Sequence, residues 1–198
     1  MHVTHKNGRK WVTLDPGDHF VSKENLIMST LLGSCVSACL YDPVNRIAGM
    51  NHFLLSNRRY SKELPIFQSE AGRYGIHAME LLINKMIHRG ANKRYIKAKA
   101  FGGGNVLPTI NKDNFFCVGK VNSKFILDYL ELENIPLESH SLGGETGRVI
   151  RFDTHDFAVY SRKIQRITDE KKIYEKEHTY WEKTIIKQKE EETNIDLW

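Results

Sequence analysis

The stretch from Ser29 to Leu55 constrains this chain most. Ser29-Thr30-Leu31-Leu32 runs as an apolar strand, Gly33-Ser34 breaks it, and Cys35 stands on the break. Val36, Ala38 and Leu40 then alternate with Ser37, Cys39 and Tyr41, the two-residue period of a strand. Asp42-Pro43-Val44-Asn45 reads as a turn, and Ile47 to Leu55 reads as the returning strand. A hairpin of this kind lays its two strands side by side, so Cys35 and His52 become neighbours. A thiol beside an imidazole is the minimum equipment of a cysteine nucleophile. The glycine before Cys35 permits a bend and frees backbone N–H groups there, which could hold an oxyanion at about 3 to 4 kcal/mol per donor. A lone cysteine in an apolar strand is more often packing, and a lone histidine at a strand end is more often structural.

The remaining chain supplies a scaffold. Trp11 to Leu14 reads as a short strand before the turn Asp15-Pro16-Gly17-Asp18, and Asn25 to Leu32 as the strand entering the bend. Asn57 to Glu70 reads as a surface loop. From Glu70 to Arg89, Ile76, Met79, Leu82, Ile83, Met86 and Ile87 recur at helical steps, with Ser69 as N-cap and Gly90 as the stop. Tyr95 to Ala100 alternates as a strand and runs into Phe101-Gly102-Gly103-Gly104-Asn105. Gly119 to Glu133 gives a second amphipathic helix with Val121, Phe125, Tyr129 and Leu132 on one face. Pro136 to Leu142 is a strand, and Arg148–Phe152 and Phe157–Ser161 form a hairpin. The expected fold is α+β, with two amphipathic helices flanking layered β-sheets.

Residues 165–198 differ in composition, with seven basic and nine acidic side chains, so this tail carries −2 and the body +7. Ile167, Tyr174, Trp181 and Ile185 suggest one helix with a narrow apolar seam, lying on the body or on a partner. The expected organisation is one domain, 1–164, plus this tail.

The net charge of +5 comes from scattered basic residues, 29 against 24 acids, without the stripe that tracks phosphates, so nucleic acid is not an expected partner. No run has the length of a membrane helix, and the first residues lack a secretory h-region, which leads to the expectation of a cytoplasmic protein without membrane insertion. Three cysteines without metal-type pairing do not build a disulfide framework. A zinc site from Cys35, Cys39 and His52 would need closer pairing and a fourth ligand, so no metal is expected. Cys39 and Cys117 read as packing residues. Phe101 to Asn105 lacks the Lys-Ser/Thr of a phosphate loop and the spacing of a dinucleotide loop.

Several segments together, LLGSCVSACLYDP, GMNHFLL, RYGIHAMELLINKM, KAKAFGGGN and LGGETGR, resemble the CheD family of chemoreceptor glutamine deamidases, in the family's order from Ser29 to Lys163. The resemblance implies a fold related to deamidating cysteine toxins, Cys35 as nucleophile and His52 as the catalytic histidine. It implies a hydroxyl as third member, usually a threonine six positions before the cysteine. Ser29 stands at that position and Thr30 beside it, so either could serve. Ser34, Gly103, Gly104 and Asn105 are the expected substrate contacts. The reaction implied is hydrolysis of glutamine side chains on methyl-accepting chemotaxis receptors, without a cofactor. The expected state of the chain is a monomer. A CheC phosphatase is the further partner implied. The alternative is an adaptor that docks on receptors or on that phosphatase with little catalysis. One departure from the family is Ser56-Asn57, where proline is common.

Overall fold

The computed structural model describes residues 1–55, 67, 69–106, 118–164, 173, 175–180, 182, 183 and 186. Its central strand is β5 (Val36–Asp42), all seven residues of which are buried, because both its faces are covered. Val36, Ala38 and Leu40 point into one apolar cluster, shared with two helices. Cys35, Cys39 and Tyr41 point into another, shared with a second sheet. The alternation visible in the sequence thus sorts the side chains of one strand between two cores.

Among the described residues, ten strands form two five-stranded sheets. The first has the order β1–β2–β4–β9–β10, from β1 (His2–Lys6), β2 (Arg9–Thr13), β4 (Leu26–Leu32), β9 (Arg148–Asp153) and β10 (Val159–Lys163). The second has the order β3–β6–β5–β7–β8, from β3 (His19–Ser22), β6 (Ile47–Asn51), β5, β7 (Lys97–Gly102) and β8 (Leu137–Leu142). Both sheets are mixed, since β2 runs parallel to β4 and β7 parallel to β8. Met28, Leu32, Ile150 and Phe152 of the first sheet meet Cys39, Met50 and Phe101 of the second, which makes the two-sheet layer. Helices α1 (Glu70–His88) and α2 (Val118–Leu132) cover the other face of the second sheet. The α+β layering read from the sequence is the one observed.

The local signals behave as physics requires. Ser69 caps α1 by accepting from the Gly72 N–H, and Gly90 takes φ +97° after its last turn. On α2 the buried stripe is Val118, Asn122, Phe125, Ile126 and Tyr129, whereas Leu132, assigned to that face from the sequence, is exposed. Lys93–Tyr95 forms a 3-10 turn, so β7 starts two residues after the expected Tyr95. Two strands lay unread in the polar N-terminal segment, β1 and β3. β1 is exposed at all five positions and has no apolar alternation to reveal it. Most of the loop from Asn57, together with Cys117 and the seam residues Ile167, Tyr174, Trp181 and Ile185, lies outside the described residues. Among the described residues no helix is long and apolar enough to cross a membrane.

Candidate active site

The chain leaves the first sheet at Leu32 and enters the second at Val36. Gly33-Ser34-Cys35 is the crossing, and its backbone is tied on every side but one. Gly103 N–H donates to the Cys35 carbonyl and Gly104 N–H to the Gly33 carbonyl, each at 2.7 Å. The Asn122 amide donates to the Ser34 carbonyl at 2.8 Å and accepts from Leu55 N–H at 2.9 Å. Val36 and Phe53 exchange both backbone bonds across the hairpin. Gly102 sits at φ +114°, and a Cβ there would lie 2.1 Å from the Cys35 carbonyl oxygen, so only glycine admits this approach.

What remains free on the crossing is a row of donors. The N–H groups of Gly33, Ser34 and Cys35 and the Ser34 hydroxyl all point to one spot, and a carboxylate fills it. Glu177 accepts from Gly33 at 2.7 Å, from Ser34 N–H at 2.8 Å, from Ser34 Oγ at 2.6 Å and from Cys35 N–H at 3.2 Å. Three successive N–H groups converging on one carboxylate, those of Gly33 and Cys35 on Oε1 and that of Ser34 on Oε2, make an anion cup.

His52 follows β6, and its main chain is pinned by the β2–β3 turn. Gly17 N–H donates to its carbonyl at 2.7 Å, and its own N–H donates to the Asp18 carbonyl at 2.9 Å. Its Nδ1 lies 2.7 Å from Thr30 Oγ1. The Thr30 hydroxyl donates to the Leu14 carbonyl at 2.8 Å, so it accepts from His52, and Nδ1 carries the proton. Nε2 is left with a lone pair, buried and without a hydrogen-bond partner among the described residues. The Cys35 sulfur, a His52 ring nitrogen and a Glu177 oxygen all lie within 4.8 Å of one another. Hairpin register explains the closeness: with Val36 opposite Phe53, Cys35 and His52 are diagonal neighbours on one face of the joined strand ends.

Of the two hydroxyls left open by the sequence, only Thr30 meets the imidazole. Ser29 Oγ sits 3.1 Å from Thr13 Oγ1 on the other side of β4. Of the expected substrate contacts, Ser34 lines the cup. Gly103 and Gly104 lie behind it and spend their N–H groups bracing the cysteine loop, and Asn105, exposed, donates its N–H to the Gly144 carbonyl. Asn122 and Glu177 were not singled out from the sequence, and the turn Asp15-Pro16-Gly17-Asp18 was read there without a part in the site. Asn122 left a trace, a polar residue in the apolar stripe of α2.

Burial holds His52 neutral, its pKa pushed down to about 4. Burial and the adjoining Glu177 carboxylate push the Cys35 thiol well above its ordinary range. Cys39, fully buried, is raised to about 12 by desolvation and belongs to the packing between the sheets. Cys35, His52 and Glu177 are also the trio whose donor atoms could meet on a metal ion, a set without Cys39. The converging N–H groups present positive ends to that spot, which suits an anion and repels a cation.

The sequence matches the CheD chemotactic sensory transduction family model over residues 56–163. It is 47% identical to the probable chemoreceptor glutamine deamidase CheD 1 of Geobacter sulfurreducens, covering 96% of this chain and 95% of that one. The chain belongs to the CheD family. The probable chemoreceptor glutamine deamidase CheD 2 of Shewanella oneidensis is 44% identical over 88% of each chain. A solved structure, the hypothetical protein YfiH of Bacillus licheniformis, aligns with TM-score 0.38 at 16% identity, covering 63% of this chain and 50% of that one. The family match begins after both Cys35 and His52, so it is the full-length relatives that span the site.

Proposed function

We propose that this CheD protein is a cysteine amidohydrolase that converts glutamine side chains of chemotaxis receptors to glutamate and releases ammonia. The observation that carries the reading is the anion cup beside the Cys35 sulfur, with the free Nε2 of His52 across from it. The substrate class comes from what its relatives are named for, chemoreceptor glutamine deamidases.

The chemistry uses only the protein's own side chains and backbone N–H groups, and water. His52 Nε2 takes the Cys35 proton as the sulfur attacks the carboxamide carbon and a C–S bond forms. The carbonyl oxygen becomes an oxyanion in the cup, held by the N–H groups of Gly33, Ser34 and Cys35 and by the Ser34 hydroxyl. The C–N bond breaks as His52 returns its proton to the departing ammonia. Water then attacks the thioester with His52 as base, the C–S bond breaks, and glutamate and the Cys35 thiol result. Thr30 positions His52 by holding the Nδ1–H tautomer, the part a third group plays in a triad. No cofactor or metal enters this scheme. We place the protein in the cytoplasm as a monomer, with a CheC-type phosphatase as a further partner.

An occupied cup and a neutral thiol also suit an adaptor that docks without catalysis. Ammonia release from glutamine-bearing receptor helices, wild type against Cys35→Ala, separates the two. The enzyme reading expects release that vanishes with the sulfur, and the adaptor reading expects none in either protein.

A further inference from the structure

Glu177 reaches the cup from the C-terminal tail, more than 140 residues along the chain from the donors it meets. We propose that this tail is an autoinhibitory arm, with Glu177 seated as the product glutamate side chain would be, and that the arm leaves before a substrate helix enters. The proposal rests on the deamidase reading above and adds regulation of the same site.

The first argument is chemical identity. Glutamate is what glutamine becomes, with the same carbon chain and an oxygen where the nitrogen was. A side chain of that length, only 2% exposed, puts its carboxylate where the oxyanion of the reaction would form. The second argument is presentation. Residues 175–180 are helical, and Ile173, Glu177 and Tyr180 follow at steps of four and three, one face of a helix. The arm therefore offers its carboxylate from a helix, as a helical substrate would offer its carboxamide.

The third argument is shape. The body has glycine where the arm presses down. A Cβ at Gly33 would lie 2.6 Å from Ile173 Cγ2 and 3.0 Å from Glu177 Oε2. A Cβ at Gly147 would lie 2.7 Å from Ile173 Cδ1, and one at Gly17 2.7 Å from the Tyr180 ring. Tyr180 also hydrogen-bonds the Tyr74 hydroxyl, and Tyr74 lines a small pocket together with His52. The rim is looser: Lys176 pairs with Asp15 at 3.1 Å across exposed surface, a contact that breaks at little cost.

The seated arm silences the site twice. It fills the cup that the oxyanion needs, and its charge adds to burial in holding the Cys35 thiol above its ordinary range. The same seat makes the arm a potential substrate. With glutamine at position 177, the Cys35 sulfur would attack the carboxamide carbon, the C–N bond would break with ammonia leaving on the His52 proton, and water would cleave the thioester to return glutamate and the thiol.

The test uses the full chain with Glu177→Ala, Glu177→Gln and Glu177→Gln/Cys35→Ala, on a glutamine-bearing receptor helix below saturation. Glu177→Ala should release ammonia about tenfold faster than wild type or more, the gain when a site closed in about nine molecules of ten opens fully. Purified Glu177→Gln should show glutamate at position 177 by peptide mass, an O in place of NH, while the double variant keeps glutamine. Tyr180→Ala, which loosens the arm without touching the cup, should raise the rate in the same direction. The proposal is overturned if wild type turns over the receptor helix and Glu177→Ala is no faster, or slower, with an unchanged melting temperature. It is equally overturned if the Glu177→Gln variant keeps its introduced glutamine while still converting the receptor helix. Conversion of that introduced glutamine without any receptor turnover upholds the arm and removes the receptor substrate. Absence of both removes the deamidase reading and the arm with it.

Discussion

Replacing Thr30 by valine is the sharpest single perturbation of this site. The swap exchanges a hydroxyl for a methyl of similar size at a position only 2% exposed, so it opens no cavity. It removes two bonds, the one the hydroxyl donates to the Leu14 carbonyl at 2.8 Å and the one it accepts from His52 Nδ1 at 2.7 Å. Each group left buried without that partner costs about 1 to 3 kcal/mol, so a stability loss of about 2 to 6 kcal/mol is expected if neither finds a replacement. The kinetic effect is separable. Without the hydroxyl, nothing at Nδ1 selects the tautomer that leaves Nε2 a base, and general-base assistance is worth about 10²- to 10⁴-fold. A fall in kcat of about 100-fold with little change in KM is expected, from ammonia release at saturating receptor helix. Thr30→Ser restores the hydroxyl and should recover most of the rate. Ser29→Ala, whose hydroxyl meets Thr13 instead, should leave it unchanged. Wild-type kcat in Thr30→Val, or its loss in Ser29→Ala, would refute the assignment of the hydroxyl.

Three further outcomes follow from the same geometry. Folded His52 holds off its proton until about pH 4, whereas the unfolded chain takes it up near 6.5, so stability falls as pH drops through that window. The unfolding free energy of wild type should fall from pH 7 to 4.5 by about 2 to 3 kcal/mol more than that of His52→Gln, measured in urea. Gly102→Ala, which puts a Cβ 2.1 Å from the Cys35 carbonyl oxygen at a positive φ, should cost about 1 to 3 kcal/mol in stability and displace the nucleophile loop, read as lost ammonia release in a protein of native circular dichroism. Asn122→Ala strips a partner from both the Ser34 carbonyl and the Leu55 N–H, and should lower stability by about 2 to 4 kcal/mol in a denaturant titration.

The pairing of Cys35 with His52 was legible because a hairpin turns sequence distance into cross-strand proximity. Strand alternation in β5 and the helical spacing of α1 were legible for the same reason: one buried face imposes a period. Choosing between Ser29 and Thr30 needed a parity that β4 conceals. Its inward positions Leu26, Met28, Thr30 and Leu32 alternate with Ile27 and Leu31, which are apolar as well. The bracing of the cysteine loop by Gly103 and Gly104 was hidden because a glycine run looks the same whether it faces a ligand or a neighbouring backbone. Glu177 was out of reach altogether. One glutamate in a charged tail carries no local sign that four donors await it, and its contacts join segments with no shared period.

The central claim is that the Cys35 sulfur performs the hydrolysis. The direct measurement is intact mass and ammonia for a glutamine-bearing receptor helix treated with wild type or with Cys35→Ala. An uncut helix whose glutamine becomes glutamate, with one ammonia released per conversion in wild type and none in Cys35→Ala, is the predicted result. Equal conversion by the two proteins would contradict it.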